Sequence, residues 1–194
     1  MAYGLEIGKN EVQILIYTMF ADGHVWQGQL DRINELLKLD TTTCSNTQSI
    51  YDECKEKLGK INEISMLKLA GLVTEAIDET YFNEQGKRNL LWLMINIAYG
   101  NGELHINEKE LIEFVADKLK INSSYIKEFK NIAQTLLALM NKQKWAEALP
   151  YNEAQEIIKD INKDREFLVN NTKDLASNFK FPLFMLVSKG KFFI

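Results

Sequence analysis

The sequence predicts an all-α protein, and three observations carry that prediction. Two prolines and ten glycines are present in 194 residues, so few positions interrupt a helix. Apolar residues recur three and four positions apart through most of the chain, which is the spacing of one helix face. Two short stretches, residues 19–30 and 97–111, each join the end of an apolar helix to a new helix start through an Asp-Gly or Asn-Gly pair. We therefore expect a bundle of about seven helices that contains two related helix pairs.

The first pair, called the first copy below, begins with a helix over residues 9–20. An Asp22-Gly23 turn follows, because glycine adopts the left-handed conformation that closes a helix. The second helix of this copy is predicted over residues 28–38. Two further helices follow at 47–58 and 61–82. The latter has such closely spaced apolar residues that we expect it to be the central buried helix, with Ala70 and Gly71 admitting a close neighbour.

The second copy begins with an apolar helix that ends at Ala98, before an Asn101-Gly102 turn. Asn107 and Glu110 have the spacing of a capping box, which predicts that the next helix starts there and runs to about residue 119. When Asp22-Gly23 is placed on Asn101-Gly102, two positions of the first copy fall on two acids of the second. Gln29 and Asp31 then stand against Glu108 and Glu110, so that Gln29 is a position where the first copy lacks the acid.

The seventh helix is predicted over residues 124–141, and residues 142–194 form an extension. In this extension, Trp145 to Pro150 form a linker, residues 152–179 a long amphipathic helix, and residues 181–194 an apolar tail with lysines and no acid. Three interpretations of the tail stay open. It folds back onto the body, it contacts a protein partner or a second copy of the chain, or it binds a membrane surface peripherally.

The pattern of a helix ending in Ala-Asp-Gly or a relative of it, then a small apolar residue and an acidic helix start, resembles the TerB-like family. That family includes the tellurite-resistance protein TerB and the amino-terminal module of some J-domain co-chaperones. Asp22 matches the family's aspartate, whereas Asn101 departs from it. The resemblance covers roughly residues 9–141, and it implies a seven-helix domain with a binding or assembly role in a bacterial stress-response system near the membrane.

Five residues near the two turns are candidate ligands of a divalent cation, because carboxylate and amide oxygens suit Ca2+ or Mg2+. The resemblance supports this idea, since TerB-like proteins are associated with metal binding. The spacing is not that of an EF-hand, because Ile106 stands where that loop requires glycine. The alternative, that these residues only cap helices, stays open. The candidates are Asp22, Asn101, Glu103, Glu108 and Glu110.

Charge and motifs exclude several classes of function. Residues 1–141 carry 14 Lys/Arg against 20 Asp/Glu, whereas residues 142–194 carry 9 against 7. An acidic body does not favour a nucleic-acid partner. We find no phosphate loop, nucleophile elbow or zinc-ligand spacing, and Cys44 and Cys54 are interpreted as free thiols. The start of the chain does not resemble a signal peptide, so we expect a cytoplasmic protein, in the setting that the resemblance implies at the inner face of the membrane.

We therefore predict a non-enzymatic module whose protein partners, or second copy, bind through the extension. Two alternatives remain. The first is a metal-dependent hydrolase that uses the same carboxylates, and the second is an immunity-type or inhibitor protein whose acidic body binds a basic partner.

Overall fold

The computed structural model describes residues 8–24, 29, 33, 47–59, 64–78, 80 and 82–171. Within these ranges seven α-helices have described bounds, Gln29 and Ile33 are helical as well, and no strand is present, so the prediction of an all-α fold is confirmed. The helices are α1 (Lys9–Met19), α2 (Thr47–Leu58), α3 (Met66–Asp78), α4 (Glu84–Ala98), α5 (Ile106–Lys118), α6 (Ser123–Glu147) and α7 (Tyr151–Asn171), and a short 3₁₀ helix follows α4 at Tyr99–Asn101.

The first compact unit, Met1–Lys127, is built around α1 and α4. Every described side chain from Val12 to Ala21 is buried, so most of α1 has no solvent-facing side, and the helix contacts α2, α3, α4 and α5. One polar residue in each of α1 and α4 donates to the backbone one turn earlier. Thr18 donates to the Ile14 carbonyl at 2.9 Å, and Asn96 donates to the Trp92 carbonyl at 2.9 Å. Their burial therefore leaves these two donors satisfied.

The helix that we expected at the centre lies at the side of this unit. α3 buries one stripe, which includes Leu69, Val73 and Ile77, while Leu67 is 84% exposed. A Cβ placed at Gly71 meets nothing within 4 Å, so no described helix packs closely against Gly71. The expectation was wrong because α1 from Val12 to Met19 and α4 from Asn89 to Ala98 are buried on every side, whereas α3 buries a single stripe. α3 also starts later than predicted, since the Ser65 hydroxyl accepts from the Lys68 N–H at 3.2 Å and so caps it.

Other boundaries differ from the predicted ones by part of a helix. α6 runs to Glu147, so Trp145 belongs to a helix rather than to a linker. α7 is described to Asn171, and the rest of the predicted 152–179 helix and the 181–194 tail lie outside the described residues. In the predicted 28–38 helix, Gln29 and Ile33 are described, and both are helical. The division into a domain ending at 141 and an extension stays a prediction.

The second compact unit, Glu128–Ile194, contains most of α6 and all of α7. α7 buries a narrow stripe that includes Ala154, Ile161 and Arg165. Arg165 is 5% exposed, and burial lowers the pKa of its guanidinium while the Glu147 carboxylate opposes that shift. In the part of the chain that the structure describes, no helix combines the length and hydropathy required to cross a bilayer.

Candidate functional site

The turns that follow α1 and α4 have the same backbone. Gly23 and Gly102 have φ angles of 78° and 103°, which are left-handed values that favour glycine. The Gly23 N–H donates to the Phe20 carbonyl at 3.0 Å, and the Gly102 N–H donates to the Tyr99 carbonyl at 3.1 Å. The two copies therefore close their first helices in the same way, as the paired Asp-Gly and Asn-Gly motifs predict.

Each turn is held by the side chain that precedes its glycine. The Asp22 carboxylate accepts from the His24 N–H at 2.8 Å, and the Asn101 side-chain carbonyl accepts from the Glu103 N–H at 3.2 Å. These are Asx turns, in which a short side chain takes the place of a backbone acceptor. An aspartate and an asparagine perform this task equally well, because both present an oxygen at the same position.

The two copies meet through a pair of equivalent residues. Gln29 and Glu108 lie 79 positions apart, which is also the offset between the two turns, and the Gln29 amide donates to Glu108 Oε1 at 2.8 Å. Both side chains are fully buried. Four residues later, Ile33 and Ile112 also occupy equivalent positions, and both are buried. The hydrogen bond therefore joins matching positions of the two copies.

Glu108 also caps the helix on which it lies. Its Oε2 accepts from the His105 N–H at 2.9 Å, and the His105 Nδ1 accepts from the Asn107 N–H at 3.3 Å. α5 consequently begins at Ile106, and His105 with Glu108 forms the capping box. The predicted box of Asn107 and Glu110 was wrong by two residues, because a histidine ring nitrogen takes the role that the sequence pattern reserves for Ser, Thr, Asp or Asn.

The Glu108 carboxyl is the most perturbed acid of this site. Burial is the main cause that raises its pKa from 4.5 to about 8. The Asp22 carboxylate raises the pKa of Glu108 further, while the hydrogen bonds from the His105 N–H and from Gln29 lower it. At neutral pH and without a bound cation, the carboxyl is therefore mostly protonated.

The pair is formed because the chain passes very close to Gln29 at Gly100. A Cβ at Gly100 would lie 2.9 Å from Gln29 Cγ, 3.1 Å from its Cα and 3.2 Å from its backbone nitrogen. Any larger residue would therefore push Gln29 away. The Gln29 Oε1 atom is buried and has no hydrogen-bond partner among the described residues.

The five predicted ligands differ in their exposure to solvent. Asp22 and Asn101 are half-buried in their Asx turns, Glu108 is fully buried, and Glu103 and Glu110 are exposed. Asp22 and Glu108 are close enough to interact electrostatically. The described residues contain no group of three or more His, Cys, Asp or Glu side chains arranged to hold a metal ion. Whether a cation binds stays a prediction. Asp31, which matches Glu110, lies outside the described residues.

Sequence reasoning missed Gln29 and Gly100 as members of this site. The internal alignment did set Gln29 against Glu108, but it was interpreted as a position without an acid rather than as a hydrogen-bond partner. Gly100 is preceded by Tyr99 and followed by Asn101-Gly102, and nothing in that pattern indicates a close approach to residue 29. An alignment shows equivalence, whereas contact between equivalent positions depends on how the copies pack.

A second buried polar pair lies elsewhere in the first unit. Tyr17 and Cys54 hydrogen-bond to each other, and both are buried. Burial raises the pKa of the Cys54 thiol to about 11 and raises the pKa of the Tyr17 hydroxyl as well. Cys54 is therefore a protonated core residue rather than a reactive thiolate, in agreement with the predicted free thiol.

Comparison with known proteins supports the resemblance noted from the turns. The family model described as Tellurite resistance protein TerB matches residues 11–131, which include both turns, Gln29 and Glu108. No curated protein and no solved structure matches the chain.

Proposed function

Because the chain belongs to the TerB tellurite-resistance family, we propose that it is a non-enzymatic binding and assembly module of a bacterial stress-response system. Membership of the family indicates a role related to tellurite resistance. The observation that carries the proposal is the match of the family model, which covers both helix pairs and the turns between them.

The chemistry of the turns supports a binding role over a catalytic one. One side-chain oxygen each of Asp22 and Asn101 accepts from an N–H group within its turn, and Glu108 Oε2 accepts from the His105 N–H at the start of α5. Glu108 is buried and mostly protonated at neutral pH. Hydrolysis on a metal requires ionised ligands and an open coordination position. The geometry therefore does not favour the hydrolase alternative.

The second compact unit supports contact with another protein. Its described residues expose three aromatic side chains, and the exposed fractions are 58% for Trp145, 74% for Tyr151 and 71% for Phe167. Aromatic residues are enriched at the centres of protein interfaces, where they bury large apolar areas. We therefore assign the contact with a protein partner to this unit, and we place the module at the inner face of the membrane through that partner.

A genetic experiment tests the role in resistance. The gene is deleted in its host, and growth is measured over a tellurite series with empty vector, wild type, Trp145→Ser and Phe167→Ser. We expect the deletion to lower the tolerated concentration severalfold, the wild type to restore it, and the two aromatic variants to restore it in part. Asn152→Ser, which changes an exposed polar residue of the same unit, should restore it fully. Unchanged tolerance after deletion would contradict the proposal.

A physical experiment tests the contact. Sedimentation velocity of the full chain measures self-association, and flotation with anionic vesicles measures membrane binding. Titration with a purified partner from the same resistance system then gives an affinity. We expect Phe167→Ser to weaken the affinity about tenfold while leaving the circular dichroism spectrum unchanged. A chain that only dimerises, or only floats with vesicles, would contradict the assignment of this unit to a protein partner.

A further inference from the structure

We propose that the Gln29–Glu108 hydrogen bond joins the two copies without an ion, at the point where two acids in equivalent positions would need a cation between them. The amide of the first copy takes the role that a bridging metal would otherwise have. The proposal goes beyond the binding function, because it concerns what joins the two helix pairs within the first compact unit.

The atoms that a cation would need already face hydrogen-bond donors. Glu108 Oε1 lies 2.8 Å from the Gln29 amide nitrogen, and Oε2 lies 2.9 Å from the His105 backbone nitrogen. Each of these N–H groups directs a partial positive charge at a carboxyl oxygen. A cation on the remaining lone pairs of these oxygens would face both partial positive charges, which repel it.

The surroundings offer too few further ligands. Ca2+ takes six to eight oxygens, and Mg2+ usually keeps several of its waters. Gln29 and Glu108 are both fully buried, so water has little access to them. Glu103 and Glu110 are exposed. The residues that the structure describes contain no group of three or more His, Cys, Asp or Glu side chains that could hold a metal ion. The buried Gln29 Oε1 remains as one lone acceptor, which does not complete a coordination shell.

The exchange of acids and amides between the copies supports the same conclusion. The first copy has an acid in its turn, Asp22, and an amide at its helix start, Gln29. The second copy has the reverse order, an amide at Asn101 and an acid at Glu108. At these two aligned positions, one copy therefore has an acid where the other has an amide. At the buried position this pairing makes a donor meet an acceptor, whereas two carboxylates there would repel.

The test compares three proteins that differ at this pair. Wild type, Gln29→Glu and the control Glu110→Gln are stripped of metal, and each is titrated with Ca2+ and with Mg2+ by calorimetry and in thermal unfolding. We expect the wild type and the control to give no heat of binding and an unchanged midpoint. We expect Gln29→Glu to unfold several degrees lower without cation and to recover most of that loss in millimolar Ca2+.

Two results would overturn the proposal. One is wild-type binding of Ca2+ or Mg2+ that is lost in Glu108→Gln and kept in Glu110→Gln, because the pair would then belong to a cation site. The other is a folded Gln29→Glu variant whose stability is as insensitive to Ca2+ as that of the wild type. Two acids at this position would then need no cation between them, so the Gln29 amide would not be taking the place of one.

A measurement on the wild type keeps the proposal testable if Gln29→Glu does not fold. The side-chain amide protons of Gln29 are followed by NMR. We expect them to exchange slowly with solvent and to keep their chemical shifts between EDTA and millimolar Ca2+. A shift of these protons on addition of Ca2+, with saturation, would show that an ion enters between the copies and would refute the proposal.

Discussion

The two turns have one backbone and different chemistry, and the difference shows how a repeated unit becomes an asymmetric one. Gly23 and Gly102 close the turns in the same conformation, and Asp22 and Asn101 accept the same hydrogen bond. The helix starts that follow are not alike, since Gln29 has a permanently neutral side chain whereas Glu108 can ionise. A duplicated fold can therefore keep its geometry while its two copies become complementary at the place where they meet.

The largest expected effect is a pH dependence of the unfolding free energy, which comes from Glu108 in the second copy and has no counterpart at Gln29 in the first. The pKa of Glu108 is 4.5 when unperturbed and about 8 in the folded protein. Below pH 4.5 the carboxyl is protonated in both states, and its stabilising effect is fully present. Between these two values only the unfolded state ionises, so stability falls as pH rises, by a total on the order of 5 kcal/mol. Above pH 8 this contribution stays constant.

Urea unfolding of the wild type and of Glu108→Gln across this range measures that difference. The variant places an amide in both copies and should lack this part of the pH dependence. If the two proteins gave parallel curves of unfolding free energy against pH, the ionisation of Glu108 would not distinguish the copies.

The next effect comes from removing either member of the pair. Glu108→Ala leaves the buried Gln29 amide and the part-buried His105 N–H without their acceptor and creates a cavity, and it should lower the unfolding free energy by about 2 to 4 kcal/mol. Gln29→Ala should cost a similar amount, and the double variant should cost less than the sum, because the same interaction is lost in both. Chemical denaturation measures all three. The control Glu110→Ala, at an exposed acid, should stay within about 0.5 kcal/mol of the wild type.

A smaller effect tests the close approach in the second copy. Gly100→Ala would press on Gln29 and should cost about 1 to 3 kcal/mol. Gly71→Ala should instead stabilise the protein by about 0.5 to 1 kcal/mol, because its helical position is exposed and its Cβ meets nothing within 4 Å. Thermal unfolding of the two variants should show shifts of opposite sign. The first copy already has Ala21 at the position of Gly100, so a harmless Gly100→Ala would mean that the copies pack alike there.

The smallest effect makes the two turns identical. In Asp22→Asn the side-chain oxygen still accepts from His24, so stability should change by less than about 0.5 kcal/mol. The pKa of Glu108 should fall, because Asp22 contributes to raising it. Carbon NMR of the Glu108 carboxyl measures that pKa. Asn101→Asp is the reciprocal control for the turn, and an unmoved Glu108 pKa in Asp22→Asn would show that the turns do not communicate electrostatically with the pair.

The sequence predicts the parts of this fold that depend on local periodicity and on glycine. These signals predict α1, α2 and α4. They also predict both turns, and the turns point to the family. The central position of α1 does not, because α3 is also apolar and burial depends on how many neighbours a helix has. The start of α5 was misplaced because a histidine caps it. The pairing of Gln29 with Glu108 required the packing of two distant segments, which an internal alignment does not contain.

The hydrogen bond between residues 79 positions apart also sets an order of events during synthesis. A ribosome adds about 5 to 20 residues per second, so Gln29 leaves it several seconds before Glu108 does. During that interval the first copy has no acceptor for the Gln29 amide, and α1 lacks the helix α4 that buries one of its sides. The newly made half therefore exposes apolar surface that chaperones can bind until the second half arrives, and the Gln29 amide gains its acceptor only after Glu108 has left the ribosome.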